Sequence, residues 1–369
     1  MRVLVSILTI VLTVSLISEA FAEPPRLPSL ISALRVDSPL SFCGESVPLD
    51  IPEVRERFEK ELLLTLWGRP QVILWLKRSA RYLPIIEQEL AEAQMPDDLK
   101  YIAIIESALR PHVGSSKGAI GFWQFMRETG RNYGLKINSR IDERRNIFRS
   151  TRAAIQYLKV LHDEFGSWTL AAAAYNMGEK GLMAEILAQQ TSNYYQLYLP
   201  LETQRYVFRI LCAKLILSNP EQYGFLLKPG DLYQPLHFDR VHLVVDREVP
   251  LLLVAKAAGT VFKVIKELNP EIRGHHLEKG AHDLLIPTGQ SRGFQARFTE
   301  RYDAWLSTEQ QRIYVVKKGD NLSAIADRFS VPLPALLIWN RLNLKKPIHP
   351  GDRLIIYPPP DDSVRAAQN

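Results

Sequence analysis

Shifted by 71 places, the last third of this sequence lies over itself. Val315-Val316 falls on Val244-Val245, Leu322 on Leu251, Ala326 on Ala255 and Asn340 on Asn269, with no gap between these points. Such a repeat means two copies of one small unit, and it confines the main core of the chain to the residues before it. Each copy reads strand, helix, helix, strand; in the second the runs are "IYVVKKG", "NLSAIADRF", "LPALLIWN" and "RLIIYP". The pattern changes near Gly230, where longer periodic segments give way to short runs rich in Val, Leu and Pro. A multidomain chain is expected: an all-α part, then small α+β (βααβ) modules.

From about Ser38 to Phe225 apolar residues recur at three- and four-residue spacing, the period of amphipathic helices. "EVRERFEKELLLTLW" and "VILWLKRSARYLPIIEQELAEAQ" are two such segments. "PDDLKYIAIIESALR" opens with Pro96-Asp97-Asp98, acids at the positive end of a helix. "RSTRAAIQYLKVLHDEF" and "WTLAAAAYN" are separated by Gly166, and "LETQRYVFRILCAKLIL" is stopped by Asn219-Pro220.

At the N-terminus, Arg2 precedes an apolar run from Val3 to Ile17, and Ala20-Phe21-Ala22 follows. This is the layout of a secretory signal, and the run is short of the ~20 apolar residues a bilayer span needs. The chain is expected to be exported, to the periplasm or cell envelope, without stable membrane insertion. An uncleaved anchor is the alternative. The 46 Lys and Arg residues are dispersed among 40 Asp and Glu, so no basic stripe points to nucleic acid. A net charge of +6 also suits an acidic polymer such as cell-wall glycan. Cys43 and Cys212 are compatible with one disulfide or with Cys212 as a small core residue. With no histidine cluster near them, a zinc site is not expected.

The residue that asks for an explanation is Glu106, in "YIAIIESALRP". Either it lies on the wet side of its helix, or it faces inward and desolvation keeps it protonated. A protonated carboxyl in a cleft is what glycosidic cleavage requires, since the leaving oxygen must receive a proton. Downstream, "GAIGFWQFM" joins two glycines to Phe122, Trp123, Phe125 and Gln124. Those rings suit either the core or a sugar-stacking cleft wall, with the Gln124 amide binding hydroxyls. In "AAAAYNMG", Tyr175 and Asn176 are either a helix cap or site residues.

Taken together and in order, "IESALRP", "GAIGFWQFM" and "AAYNMG" resemble the lysozyme-like lytic transglycosylases of bacterial cell walls, over roughly Ser38 to Phe225. The resemblance implies that Glu106 is the single catalytic acid/base and that Ser107 helps hold substrate beside it. It implies that Gly121, Phe122, Trp123 and Gln124 form the cleft motif, with Tyr175 and Asn176 beside the carboxyl. Tyr206 matches the last cleft tyrosine, although an amphipathic helix also explains it. The second repeat resembles a LysM domain: Gly319, Asp320, Asn321 and Leu322 match its turn, and Asn340, Pro350 and Gly351 match later landmarks. Such modules bind N-acetylglucosamine-containing glycans, though Asp320 or Asn321 also reads as a plain helix cap. The first copy has Glu248-Val249-Pro250 in place of Gly-Asp-Asn, which makes it a degenerate LysM-like copy.

The expected organisation is a signal peptide over residues 1–22 and N-terminal helices with the catalytic domain over 23–230. A degenerate module over 241–288, a helical linker over 289–311, a LysM domain over 312–358 and a disordered tail over 359–369 follow. Two-carboxylate glycosidases need a second acid; Asp142, Glu143, Glu164 and Glu179 are the candidates, and "IDERR" reads better as a salt-bridged helix start. The resemblance implies a one-glutamate reaction instead. By that resemblance Glu106 would protonate the bond between N-acetylmuramic acid and N-acetylglucosamine, then activate the muramoyl C6 hydroxyl, with no metal or cofactor. The partner implied is the peptidoglycan glycan strand. The rivals are a goose-lysozyme-like hydrolase and a non-catalytic glycan-binding scaffold. Many members of the nearest subgroup are lipoproteins, and the lipid-acceptor cysteine is missing after the apolar run.

Overall fold

The computed structural model describes residues 28–36, 39–309, 313–340, 342–344 and 347–357. The expected export segment and C-terminal tail lie outside them. Two compact units are present: residues up to His237 together with Asn269–Gly274, and Phe238–Leu268 together with His275 onward.

The first unit is helical where the spacing predicts it. Its elements are α1 (Pro52–Trp67), α2 (Arg69–Glu92), α3 (Lys100–Ser107), α4 (Arg127–Asn132), α5 (Ile147–Phe165), α6 (Trp168–Met177), α7 (Glu179–Gln189) and α8 (Leu201–Ser218). The acids Asp97 and Asp98 form a 3-10 turn ahead of α3 rather than its first turn. Gly166 closes α5 with a left-handed φ of 67°, a conformation a side chain resists. Besides the single turn Leu30–Ala33, the spacing does not announce α4 and α7; α7 buries only Leu182, so its apolar stripe is weak.

α3 is the most deeply packed of these helices, with only Lys100 and Glu106 partly exposed. Tyr101, Ile102, Ala103, Ile104, Ile105 and Ser107 are all buried. α8 packs against α1, α3 and α6, and α5 packs against α2 and α6. The four alanines Ala171–Ala174 are fully buried, which lets neighbouring backbones approach α6 closely. α3 stops abruptly at Ser107, because Ala108 and Leu109 both take left-handed φ (52° and 57°). Consecutive non-glycine residues there cost energy that the surrounding packing must offset.

A small hairpin that the periodicity did not announce fastens three of these helices. Its strands are β1 (Ser41–Phe42) and β2 (Glu45–Ser46). The Glu45 carboxylate accepts from Ser167 Oγ (2.9 Å), Trp168 N (2.5 Å), Thr169 N (3.0 Å) and Thr169 Oγ1 (2.6 Å), capping the start of α6. Cys43 N donates to Asp98 Oδ2 before α3, and Lys214 Nζ on α8 donates to the same oxygen and to the Ser41 carbonyl. Both cysteines are free thiols, with Cys212 buried in α8. Glu45→Ala removes the cap from four donors across a sequence distance no local motif bridges. We expect a loss of about 2 kcal/mol, read as a lower urea midpoint than wild type or Glu45→Gln.

The second unit holds the repeat: both copies share a strand, two helices and a closing strand, and the first adds a short strand pair. β3 (Asp239–Val245), β4 (Val249–Pro250), α9 (Leu251–Ala257), α10 (Phe262–Leu268), β5 (His276–Leu277) and β6 (Gly280–Ile286) form the first copy. After α11 (Phe294–Glu309), the second copy has β7 (Ile313–Val315), α12 (Leu322–Arg328), α13 (Leu333–Asn340) and β8 (Arg353–Ile355). Both helix starts in the second copy stand 71 residues after those in the first. Antiparallel pairs β3–β6 and β7–β8 close the two copies. Val316, Ile325, Ala326, Val331, Leu336, Leu354 and Ile356 form the small core of the second. No single described helix is long and apolar enough to cross a membrane.

Candidate active site

α3 is buried over most of its surface, and Glu106 lies half-buried at the helix C-terminus. Tyr206 OH, on α8, donates to Glu106 Oε1 at 2.5 Å. Burial raises the carboxyl from an ordinary 4.5 to about 7; the Tyr206 hydrogen bond and the Arg209 charge oppose the rise, and the Glu202 charge adds to it. Desolvation therefore dominates. The group holds a proton near neutral pH while keeping a hydrogen-bond donor that will stabilise its ionised form, which suits a residue that gives a proton and takes one back.

Around it the loop "GAIGFWQF" is folded on itself, with Ile120 bridging both Gly114 and Phe125. Gly121 has φ 86°, and a Cβ there would lie 1.9 Å from the Arg144 carbonyl oxygen, so no other residue fits without moving the backbone. Gln124 also has positive φ, and its Nε2 donates to the Gly121 and Val113 carbonyls (2.8 and 3.2 Å). The amide nitrogen thus braces the loop, and only its oxygen is left for the hydroxyl contacts expected of it.

Phe122 and Trp123 require a correction. Their rings are 1% and 0% exposed, and Trp123 Nε1 donates to buried Thr151 Oγ1 at 3.0 Å. They are core rather than a sugar-stacking wall, since every ring in this crowded loop finds protein on both faces. Their backbone carries the link to the site instead. The Phe122 carbonyl accepts from Ser107 Oγ (2.7 Å) and the Trp123 carbonyl from Tyr175 OH (2.7 Å). Ser107 is buried and also accepts from Arg110 N, so its hydroxyl ties loop to helix.

Tyr175 stands at the end of α6, inside an aromatic cluster with Phe125 and Tyr157. Burial first, then the Glu106 charge, pushes its hydroxyl well above the ordinary tyrosine value, as they do for Tyr206. Both phenols therefore stay protonated as donors. Asn176 Oδ1 accepts from Thr203 Oγ1 at 2.8 Å, joining α6 to α8. Glu106, Tyr175 and Tyr206 are thus brought together, and Asn176 lies at the same helix end.

Of the four second-carboxylate candidates, Asp142 is 1% exposed with both oxygens on Arg144 at 2.8 Å. Glu143 accepts from Lys136 N, Glu179 accepts from Tyr157 OH, and Glu164 is exposed. Two residues were missed. Arg144, 2% exposed, sends Nη1 to the Gly118 and Phe125 carbonyls (3.0 Å each) and so pins both ends of the loop. Glu202, whose charge reaches Glu106, is exposed and bound to Arg209. "DERR" signalled the ion pair, but nothing in the spacing signalled its reach to the loop.

In the second repeat the matched residues are used internally. Asp320 accepts from Tyr314 OH (2.6 Å) and Lys317 N (2.7 Å), and the Tyr314 hydrogen bond holds its carboxyl below the ordinary range. Asn321 caps α12 by accepting from Ala324 N at 2.8 Å. Leu322 packs on the core, Gly319 takes φ 91°, and Asn340 exchanges bonds with the Ile355 backbone. The cap reading holds for Asn321.

Residues 84–197 match the transglycosylase SLT domain model, and residues 314–356 match the LysM domain model. The membrane-bound lytic murein transglycosylase D of Escherichia coli strain K12 is 32% identical over 333 residues, covering 86% of this chain and 72% of that protein. Its counterpart in a second Escherichia coli strain gives the same figures. Among solved structures, the 70 kDa soluble lytic transglycosylase of Escherichia coli is 20% identical, over 40% of this chain and 26% of that one, with a TM-score of 0.34.

Proposed function

The chain belongs to the family of membrane-bound lytic murein transglycosylase D, and from that membership we propose a peptidoglycan lytic transglycosylase in which Glu106 is the sole acid and base. The Glu106 carboxyl donates its proton to the oxygen linking N-acetylmuramic acid to N-acetylglucosamine, and the bond from that oxygen to muramoyl C1 breaks. The carboxylate then takes the proton of the muramoyl C6 hydroxyl as its oxygen bonds to C1. One product carries a free 4-hydroxyl, the other a 1,6-anhydro ring; no water is consumed and Glu106 regains its proton. Tyr206 steadies the carboxylate in the interval, by the hydrogen bond it already makes.

The observation that supports this reading most is a half-buried glutamate whose desolvation raises its carboxyl to about 7 and whose acidic neighbour is exposed and ion-paired. A hydrolytic enzyme of the two-carboxylate kind needs that neighbour to work. Glu202→Gln in the full chain is therefore expected to clear purified peptidoglycan within about threefold of wild type. A loss of 10²-fold or more would transfer the reading to hydrolysis with Glu202 as second acid.

By the same reading the protein acts in the periplasm or cell envelope, and its partner is the glycan strand. Residues 312–358 serve as a LysM module that holds the enzyme on an insoluble polymer and raises its effective concentration there. Residues 241–288 form a degenerate copy, with Glu248-Val249-Pro250 at the turn.

A further inference from the structure

The chain leaves the second unit at Leu268 and returns at His275; the six residues between belong to the first unit. They add an extra strand-like edge to the segment that holds Arg144. Asp142 N donates to the Glu271 carbonyl at 2.9 Å, Ile272 bridges Ile141, and Arg273 N donates to the Arg140 carbonyl at 2.6 Å. The Glu271 side chain, 7% exposed, accepts from Asn146 Nδ2 at 2.9 Å. That bond fixes which way the Asn146 amide points, so that Asn146 Oδ1 caps α5 through Arg149 N. Ile272 is 2% exposed, so the contact is a packed one.

From there the connections run to the site. Asp142 grips Arg144 with both oxygens, Arg144 holds the Gly118 and Phe125 carbonyls, and Gly121 lies against the Arg144 backbone. The same loop holds Ser107, next to Glu106, and Tyr175 through the carbonyls of Phe122 and Trp123. We propose that Glu271, far outside the matched catalytic segment, is a positioning residue: its side chain fixes Asn146, which closes the Glu143–Arg145 turn, and through that turn and Arg144 it sets the Gly118–Phe125 loop. The proposal rests on the reading of Glu106 as the acid only for its effect on rate; its effect on the loop is independent of that reading.

The test uses the full chain with Glu271→Ala and the conservative Glu271→Gln, whose amide oxygen still accepts from Asn146. Hydrogen exchange at Ile120 and Gly121, whose N–H groups bond to the Phe125 and Val113 carbonyls, reads the loop directly. In Glu271→Ala these amides should exchange about tenfold faster while the middle of α8 keeps its wild-type rate. On purified glycan strands kcat should fall about tenfold with KM within about twofold, and Glu271→Gln should restore both readouts. Unchanged loop exchange overturns the proposal, as does faster exchange spread evenly over the helices. Locally faster exchange with wild-type kcat overturns it too. If Glu106→Gln is as active as wild type, the reading of the site fails while the exchange result still decides the role of Glu271.

Discussion

Glu106→Gln should lose about 10³-fold in peptidoglycan cleavage and gain stability at the same time. Glutamine keeps the shape and still accepts from Tyr206, but it has no proton to give. The gain follows from the raised carboxyl, held at about 7 against an ordinary 4.5. Between those values the folded chain binds a proton that the unfolded chain has released, so wild-type stability falls as pH rises through this window. Below the window the burden is absent; above it the burden is complete, at most about 3 kcal/mol. The variant should therefore melt above wild type near pH 8 and converge with it near pH 4. For wild type, the form able to donate is present below about 7 and lost above it, so kcat/KM should decline as pH passes upward through that value. Melting curves that do not converge at low pH would mean that the carboxyl is not the buried group described.

Asp142→Ala should be the most damaging substitution to the fold that leaves Glu106 untouched. It strands a guanidinium that is 2% exposed, and an uncompensated buried charge costs about 3–5 kcal/mol. The loss should appear as a sharply lower urea midpoint. It should be accompanied by reduced cleavage, because the stranded Arg144 is also the group that holds both ends of the Gly118–Phe125 loop. Glu164→Ala, at an exposed carboxylate of the same unit, should stay within about 0.5 kcal/mol of wild type. Equal midpoints for the two variants would remove the pair from the architecture of the cleft.

What the residues disclosed in advance was whatever rests on local pattern. Helical spacing located α1, α2, α5, α6 and α8, and the 71-residue shift placed both helices of each repeat at their starts. Motif order picked out Glu106, Tyr175 and Tyr206, which the fold brings together. What stayed hidden depends on pairing between distant segments. Glu45 lies more than 120 residues from the helix it caps, and Glu271 is 125 residues from Asn146. Neither partner carries a periodic signature. The rings of Phe122 and Trp123 misled for another reason: aromatic residues suit a core and a sugar surface equally, and only burial separates the two. For Ser107 and Gln124 the sequence shows a polar group but not the main-chain carbonyls that Ser107 Oγ and Gln124 Nε2 bind in the fold.

The most direct measurement is mass spectrometry of the muramoyl ends released from purified peptidoglycan by the full chain in oxygen-18 water. Transfer to the C6 hydroxyl predicts 1,6-anhydro ends, one water lighter than reducing ends, with no heavy oxygen incorporated. Reducing ends carrying oxygen-18 would show that water attacks C1, and would contradict a reaction run by Glu106 alone.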